Sequence, residues 1–223
     1  MIRFSYFQGW GLGEPCRWML AASNLSWEAN DLATAEEFLK LRDNEHKLLF
    51  GQLPLLEIDG LKLVQSKAIV RYLARRANMV GWTPAESVMV DMCAETITDM
   101  RACVTSYPFS PGSNAEKIEN AIVRIEKFFP RLEKILENRD ETDFGFVSKL
   151  CYADVLLAEF IAGCSGFVPM SAFRKYKNLF SLYEMVIQLP GISTYLSSEK
   201  RYPFPEGEIG QKYKENVNTV LGR

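Results

Sequence analysis

Residues 50–75 read FGQLPLLEIDGLKLVQSKAIVRYLAR, and this stretch decides the fold of the first third of the chain. Two short apolar runs, Leu55–Ile58 and Leu61–Val64, are separated only by an Asp-Gly pair. Such a link is a strong hairpin signal, because both turn positions need a positive φ angle. A serine then provides the N-cap of a helix over residues 66–78, in which apolar residues recur at spacings of three and four. The stretch therefore predicts a β-hairpin followed by a helix.

The sequence before this stretch predicts a strand, a glycine-rich loop and a helix. Residues 2–7 (IRFSYF) are rich in β-formers, and residues 14–23 have the composition of a helix. The glycines of GWGLG (9–13) favour a turn that another group approaches closely. They lack the G-x-G-x-x-G spacing of a dinucleotide loop, and repeated strand–helix–strand units do not follow them. The order is strand, helix, an irregular middle that is either a loop or a further strand, hairpin, helix, which is a small α/β layer arrangement.

Strand signals fade from Pro84 onward, and helical periodicity replaces them. Between residues 116 and 139, apolar residues spaced by three and four define one helical face, with Lys and Glu on the other. Pro130 lies inside this pattern and predicts a kink or a break. Further helices are predicted over residues 152–164 and 179–188 and over the last dozen residues, with an extended segment over 201–210.

This change of pattern divides the chain into two domains. We expect an α/β domain over residues 1–78, a linker near residues 78–84, and an all-helical C-terminal domain over residues 85–223. A length of 223 residues fits this division, since one domain takes roughly 150 residues. The predicted fold class is therefore α/β plus all-α.

Composition and charge exclude several classes of function. With 26 Lys and Arg against 28 Asp and Glu, the net charge of −2 argues against a general nucleic-acid binder. A single histidine, His46, argues against a Ser-His-Asp site or a multi-histidine metal site, and we expect no metal. Five cysteines without a C-x-x-C pair favour a reducing, cytoplasmic location over a disulfide framework. Neither a signal peptide nor a run of about 18 apolar residues is found, so we expect no membrane association.

Tyr6 and the Leu53-Pro54 pair are the first candidate binding residues. Tyr6 closes the first strand beside the glycine loop, where its phenol is either a packed aromatic or a hydrogen-bond donor to an anion. Pro54 is permitted at the start of a strand, and a cis peptide bond there would leave the Leu53 backbone free to pair with an extended ligand. From the residues alone, both interpretations of each position stay open.

A helix N-terminus and two cations complete the candidate site. Gln65 and Ser66 open the predicted helix, whose free N–H groups and partial positive charge favour a carboxylate. Capping alone also explains the serine. Arg42 and Lys47 supply positive charge in the irregular middle, where the alternative is a solvated surface role.

Three stretches together carry a resemblance to a known family: YFQGWGLGEPCRWMLAA (6–22), residues 50–75 quoted above, and ETITDM (95–100). Their layout resembles that of the cytosolic glutathione transferases, in the tyrosine-using group of alpha, mu, pi and sigma classes. The most specific part is Q-L-P followed by a D-G hairpin and Q-S-x-A-I, and the resemblance covers essentially the whole chain. It implies a thioredoxin-like domain followed by a helical-bundle domain, and a cytoplasmic homodimer. It also implies that glutathione is the co-substrate and that its thiolate is conjugated to hydrophobic electrophiles in detoxification.

The resemblance assigns roles in the glutathione site. Tyr6 would be the catalytic residue, donating a hydrogen bond to the sulfur of glutathione and so stabilising its thiolate. The backbone of Leu53 would pair with the cysteinyl part, beside Pro54 as the family's cis-proline. Both ends of the tripeptide would be held by polar side chains: Gln65, Ser66 and Asp99 of the partner subunit at the γ-glutamyl end, and Gln52, Arg42 and Lys47 at the glycyl end.

A second substrate site and a dimer interface also follow from the resemblance. The electrophile would bind in an apolar cleft between the domains, lined by Phe7, Gly9, Trp10, Leu12, Tyr107, Phe109, Tyr213 and Val217. In an isologous two-fold dimer, Phe50 would insert between helices of the partner subunit, with Lys67 and Lys127 at the same interface. Taken singly, each of these side chains has an ordinary core or surface interpretation.

Two residues depart from the family pattern. Several members place an arginine at position 12, where it helps to stabilise the thiolate, but this chain has Leu12, with Trp10 at another often basic position. Loss of a nearby cation raises the pKa of a thiol, so we expect either weaker conjugation of general test electrophiles or a substrate cleft reshaped by Trp10. Two alternatives to the transferase are a glutathione-dependent isomerase or peroxidase, and a noncatalytic carrier of apolar ligands.

Overall fold

The computed structural model describes residues 1–44, 46–140 and 142–223, apart from the side chain of Asn44. Its first part is built on four strands: β1 (Arg3–Phe7), β2 (Glu28–Leu32), β3 (Leu55–Ile58) and β4 (Leu61–Val64). They form one sheet in the order β2-β1-β3-β4. β1 and β2 pair in parallel, whereas β3 is antiparallel to both β1 and β4.

The hairpin of β3 and β4 confirms the interpretation of the Asp-Gly pair. Asp59 and Gly60 have φ angles of 51° and 78°, the positive values that so tight a turn requires. Leu55 pairs with Val64, and both side chains are buried. A slip of one residue would turn these apolar side chains to the other face, so the core fixes the register.

Three helices accompany the sheet: α1 (Glu14–Ala22), α2 (Ala35–Leu39) and α3 (Ser66–Arg76). The predicted β1, α1 and α3 are confirmed, with bounds that differ by one or two residues. The sequence leaves a strand in the irregular middle open without bounds, because EANDL is mostly polar and only Leu32 is buried. This strand forms since its backbone pairs with β1, which a local pattern does not reveal.

The regular elements that follow α3 in the described residues are helices. The helices are α4 (Pro84–Ser106), α5 (Asn114–Glu137), α6 (Tyr152–Cys164), α7 (Ser171–Arg174), α8 (Lys177–Ile187), α9 (Pro190–Leu196) and α10 (Gly207–Leu221). The predicted break at Pro130 is wrong, because α5 runs through it while Phe129 and Leu132 hold the helix in the core. The predicted extended segment also ends early, since α10 begins at Gly207.

Two helices that are buried all round join the sheet to the helical part. Every residue of α1 and every residue of α6 is buried, and the two helices contact one another. A helix without a polar face belongs in a core, which explains why α6 lies inside the bundle, against α4 and α8. The loop between β1 and α1 therefore lies at the seam between the two parts. Within the described residues, no helix is both long and apolar enough to cross a membrane.

Candidate functional site

A cavity of about 460 Å³ lies beside the sheet, at the loop before α1 and the N-terminus of α3. Its wall brings together six of the residues predicted to hold glutathione: Arg42, Gln52, Leu53, Pro54, Gln65 and Ser66. Phe7 and Leu12, predicted for the electrophile cleft, line the same cavity. The C-terminal residues Leu221 and Arg223 complete it, and local sequence patterns gave no sign of their role.

Pro54 enters β3 through a cis peptide bond with Leu53. Both residues lie on the cavity wall, immediately before the strand begins. An extended ligand in the cavity is therefore beside main chain that leads directly into the sheet, which is the arrangement that strand-like pairing with a peptide requires.

Gln65 occupies an unusual backbone conformation at the start of α3. Its φ angle is 69°, a region that residues other than glycine rarely adopt. Its side-chain Nε2 donates a hydrogen bond to Oε1 of Gln52 at 3.2 Å. The prediction that Ser66 is the N-cap is wrong, because Ser66 is the first residue of the helix and Gln65 holds the N-cap position without a capping hydrogen bond from its side chain. The free N–H groups and the dipole of the helix favour an anion here. Strained backbone of this kind is concentrated at binding sites. Here Gln65 and Ser66 both line the same cavity.

Tyr6 is one step removed from the cavity. Its side chain is almost fully buried, and its hydroxyl oxygen accepts a hydrogen bond from the N–H of Leu12 at 2.7 Å. The hydroxyl group of Tyr213 also lies over Gly11, beside the Tyr6 hydroxyl group. Burial raises the pKa of Tyr6 above its ordinary value, so the phenol keeps its proton at neutral pH and stays a hydrogen-bond donor.

Two buried arginines hold the glycine loop beside Tyr6. Arg17 donates to the carbonyl oxygen of Gly9, and Arg101 donates to that of Gly11, both at 2.8 Å. Sequence reasoning missed both residues. The available signal was a charge inside an otherwise apolar segment, as in CRWMLAA around Arg17.

The two predicted cations occupy different places. Arg42 lines the cavity, but its guanidinium group makes two hydrogen bonds to its neighbour Asp43, at 2.7 and 2.8 Å. Lys47 forms an ion pair of 2.9 Å with Glu57 of β3. Arg42 is thus the better placed of the two to meet a ligand in this cavity.

The residues predicted for an apolar cleft meet, but most of them are packed against one another. Trp10 is buried, its indole N–H donates to the Tyr202 carbonyl oxygen at 2.5 Å, and its ring packs edge-on against Phe204. Tyr107 is buried against the same phenylalanine. The side chain that packs over Gly9 is Tyr213.

Helix α10 carries Tyr213 and so places its ring over Gly9. Asn216 fastens it to the sheet, since its Oδ1 accepts from the N–H of Gln8 and its Nδ2 donates to the carbonyl oxygen of Leu32, both at 2.9 Å. Phe109 is half exposed and packs edge-on against Tyr213 at a ring distance of 5.6 Å. Val217 is partly exposed on the same helix.

The residues predicted for a dimer interface lie on the surface. The side chains of Phe50 and Leu49 are 62% and 75% exposed, which is unusual for large apolar groups. Lys67 pairs with Glu95 at 2.5 Å, and Asp99 is exposed on α4. Lys127 is exposed on α5.

Comparison with known proteins follows the same division of the chain. The family model of the glutathione S-transferase N-terminal domain matches residues 3–75, and that of the C-terminal domain matches residues 98–199. Glutathione S-transferase alpha-5 of Rattus norvegicus is 33% identical over 216 residues, which cover 94% of this chain and 95% of the relative.

Solved structures of nematode proteins superimpose closely on this chain. The glutathione S-transferase from Ascaris lumbricoides has a TM-score of 0.76 at 30% identity, covering 92% of this chain and 100% of that chain. The monomeric Na-GST-3 of the hookworm Necator americanus has a TM-score of 0.77 at 25% identity, covering 91% of this chain and 99% of that chain.

The fold and the cavity together define a class of enzymes in which a thioredoxin-like domain is followed by a helical domain. Within that class, the chain belongs to the glutathione S-transferase family. The predicted fold class and the prediction of a glutathione-conjugating enzyme are confirmed, and the matches favour this activity over the isomerase, peroxidase and carrier alternatives.

Proposed function

We propose that reduced glutathione binds in the 460 Å³ cavity and that Tyr6 activates its sulfur. The observation that carries this proposal is the convergence of Gln52, Leu53, Pro54, Gln65 and Ser66, from separate elements, on one cavity whose wall is completed by Leu12. The Leu12 backbone bonds to Tyr6, so the phenol lies directly behind the place where the middle of an extended tripeptide would lie.

Each part of glutathione has a partner of matching chemistry. The γ-glutamyl carboxylate would meet the N-terminus of α3 at Gln65 and Ser66. The cysteinyl backbone would pair with Leu53, and the glycyl carboxylate would lie near Gln52 and Arg42. Lys47, already paired with Glu57, contributes less, and Asp99 of the partner subunit would approach the γ-glutamyl amine.

The reaction is a transfer of the glutathione sulfur to carbon. The thiolate is the nucleophile, and a hydrogen bond from the Tyr6 hydroxyl stabilises it by spreading its negative charge. A new C–S bond forms as the leaving group departs with its bonding electrons, or as a proton adds to the neighbouring carbon in conjugate addition. Positioning of the two reactants supplies much of the rate.

The electrophile site is the seam beneath α10, at Phe7, Gly9, Leu12, Phe109, Tyr213 and Val217. The side chain of Tyr213 packs over Gly9, so we infer that this helix shifts when a bulky electrophile enters. Trp10 and Tyr107 would shape the site from behind, as packed aromatic rings. The apolar character of this group suits hydrophobic electrophiles, as expected for a detoxifying enzyme.

The assembly belongs to the same proposal. Two copies would form a homodimer in the cytoplasm, with Phe50, Lys67 and Lys127 at the interface. The exposure of Phe50 supports this, since a soluble surface seldom presents a large aromatic ring to water. The proposed domains are residues 1–78, which hold glutathione, and residues 85–223, which complete the electrophile site.

Titration of bound glutathione tests the role of Tyr6. Thiolate absorbance of the binary complex is followed against pH in wild type and in Tyr6→Phe, with tripeptide affinity measured by calorimetry. Loss of the hydroxyl is expected to raise the pKa of the bound thiol by about two units, which corresponds to roughly 2.7 kcal/mol, with affinity little changed. An unchanged thiol pKa would show that Tyr6 does not stabilise the thiolate. If no binding were seen at millimolar glutathione, the cavity would not be the glutathione site.

A further inference from the structure

One peptide group of the glycine loop is held at both ends. The carbonyl oxygen of Gly11 accepts a hydrogen bond from Nη2 of Arg101 at 2.8 Å. The N–H of Leu12, which belongs to the same peptide unit, donates to the Tyr6 hydroxyl oxygen at 2.7 Å. Since a peptide unit is planar and rigid, this single amide joins a guanidinium group to the phenol.

Arg101 is fixed in the core by a second set of bonds. Its Nε and Nη2 donate to the two carboxylate oxygens of Glu159 at 2.7 and 2.8 Å, and its Nη1 donates to Oγ1 of Thr105 at 2.9 Å. Two-point pairing fixes the plane of a guanidinium group and therefore the direction of its N–H bonds. A buried ion pair of this kind is costly to desolvate, so stability alone does not account for its presence.

The charge of Arg101 acts on Tyr6 through this amide. A cation at the carbonyl end polarises the peptide group and makes its N–H a stronger donor, since hydrogen bonds in a chain strengthen one another. A phenol oxygen that accepts a stronger bond loses electron density, and its own O–H becomes a stronger donor. Burial raises the pKa of Tyr6, and the positive charges of Arg17 and then of Arg101 act against that rise.

The position of Arg101 compensates for the absence of an arginine at position 12. The family resemblance places an arginine side chain at that position in several members, whereas here the side chain is apolar and only its backbone N–H reaches the phenol. Arg101 supplies positive charge to the same phenol from the helical domain, by way of the loop backbone.

We propose that Arg101, held by Glu159, is a positioning residue for the transferase reaction: through the Gly11–Leu12 peptide it orients the Tyr6 hydroxyl and strengthens the hydrogen bond that this hydroxyl donates to the glutathione sulfur. This inference rests on the proposed role of Tyr6. It assigns a function to a pair of charged residues that lies entirely inside the helical domain, on α4 and α6.

The test replaces the ion pair as a unit. Arg101→Met combined with Glu159→Leu keeps the volume and leaves no uncompensated charge, so the double variant is expected to fold, as thermal unfolding will show. In its complex with glutathione, the thiol pKa is expected to rise by about one unit. The apparent pKa in the pH profile of kcat/KM for the electrophile should rise by the same amount, with little change in the KM for glutathione.

Two further variants separate positioning from a merely structural role. Glu133→Gln alters another buried carboxylate, one that bonds to the backbone N–H groups of Asn178 and Leu179 instead, and it should leave the thiol pKa unchanged. Arg101→Lys keeps the positive charge but loses the two-point hydrogen bonding of the guanidinium group. The thiol pKa of glutathione bound to this variant should lie between the values for wild type and for the double variant.

A cycle with Tyr6→Phe distinguishes the two proposals. In the Tyr6→Phe background, replacing the Arg101–Glu159 pair should cause no further shift of the thiol pKa, because the pair acts through the phenol. If Tyr6→Phe itself leaves the thiol pKa unchanged, the proposed function of Tyr6 fails. If Tyr6→Phe shifts it while the folded double variant and Arg101→Lys do not, the inference about Arg101 alone is overturned.

Discussion

Gly11 shows how a single residue shapes the candidate site. Its φ angle is +42°, a conformation that side-chain-bearing residues rarely adopt. A Cβ at this position would also overlap the hydroxyl groups of Tyr6 and Tyr213. Glycine is therefore needed for the backbone turn and for the approach of both phenols. Gly11, which precedes Leu12, thus helps to set where the Tyr6 hydroxyl group lies, because the N–H of Leu12 donates to that hydroxyl group.

Gly11→Ala is expected to impair catalysis more than folding. The added methyl group displaces the Tyr6 hydroxyl, so kcat/KM should fall by at least about tenfold, while backbone strain costs about 1 kcal/mol. Gly60→Ala is the matched control, because Gly60 also has a positive φ angle but its Cβ would meet no described atom within 4 Å. Equal kcat/KM values for the two variants would contradict this reading of Gly11.

Helix α6 shows how one polar group is used inside an apolar element. All of its residues are buried, and Asp154 near its start accepts hydrogen bonds from the N–H groups of Cys151 at 2.8 Å and Phe146 at 3.1 Å. These bonds fix the turn that leads into the helix. Because the carboxyl group has no contact with bulk water, burial raises its pKa to about 6 from an ordinary value of 3.8.

The titration of Asp154 predicts a pH-dependent stability. The folded state holds the proton more tightly than the unfolded chain, so the contribution of this group is complete below about pH 4 and is lost as the pH rises through about 6. The loss amounts to about 3 kcal/mol. Asp154→Asn removes it, and the free energy of unfolding of wild type minus that of the variant should therefore fall between pH 4 and 6 in denaturant titrations. A difference that stays constant or rises over this range would contradict the prediction.

At the scale of the whole molecule, exposed apolar side chains point to an assembly. Phe50 and Leu49 are adjacent and largely exposed, and α4 exposes Val88 and Met92 one turn apart. Large apolar side chains that face water together mark surfaces where another protein binds. Since a structurally similar hookworm transferase is monomeric, a measurement of the oligomeric state tests the proposed dimer directly.

Phe50→Glu is expected to dissociate the proposed dimer. A buried aromatic anchor contributes about 2 to 4 kcal/mol to an interface, and a carboxylate in its place is desolvated without a partner. Sedimentation velocity should show a monomer at concentrations where wild type is a dimer. Leu61→Glu, which changes another exposed apolar residue outside the proposed interface, serves as the control. An identical distribution of species in wild type and Phe50→Glu would exclude Phe50 from any interface.

Local patterns in the sequence predicted those elements that near neighbours in the sequence are enough to form. The hairpin follows from Asp59 and Gly60, whose positive φ angles belong to the turn itself. The bounds of α6 were predictable because a mainly apolar segment of helical length favours a buried helix. The position and bounds of β2 were not predictable, because its polar sequence forms a strand only by pairing with β1. The break at Pro130 was wrongly predicted, because packing in the bundle holds α5 together through the proline.

The sequence by itself determined the fold class, the family and most of the residues around the cavity, because turn chemistry, helix capping and motif spacing act between near neighbours. Only the tertiary structure decided that α10 packs over Gly9, that Arg42 pairs with Asp43 and lines the cavity, and that Lys47 pairs with Glu57. It also decided the link from Arg101 to Gly11, whose partners lie 90 positions apart. Such contacts depend on how buried helices settle against one another, and the geometry of a hydrogen bond between them is fixed only when the whole core has packed.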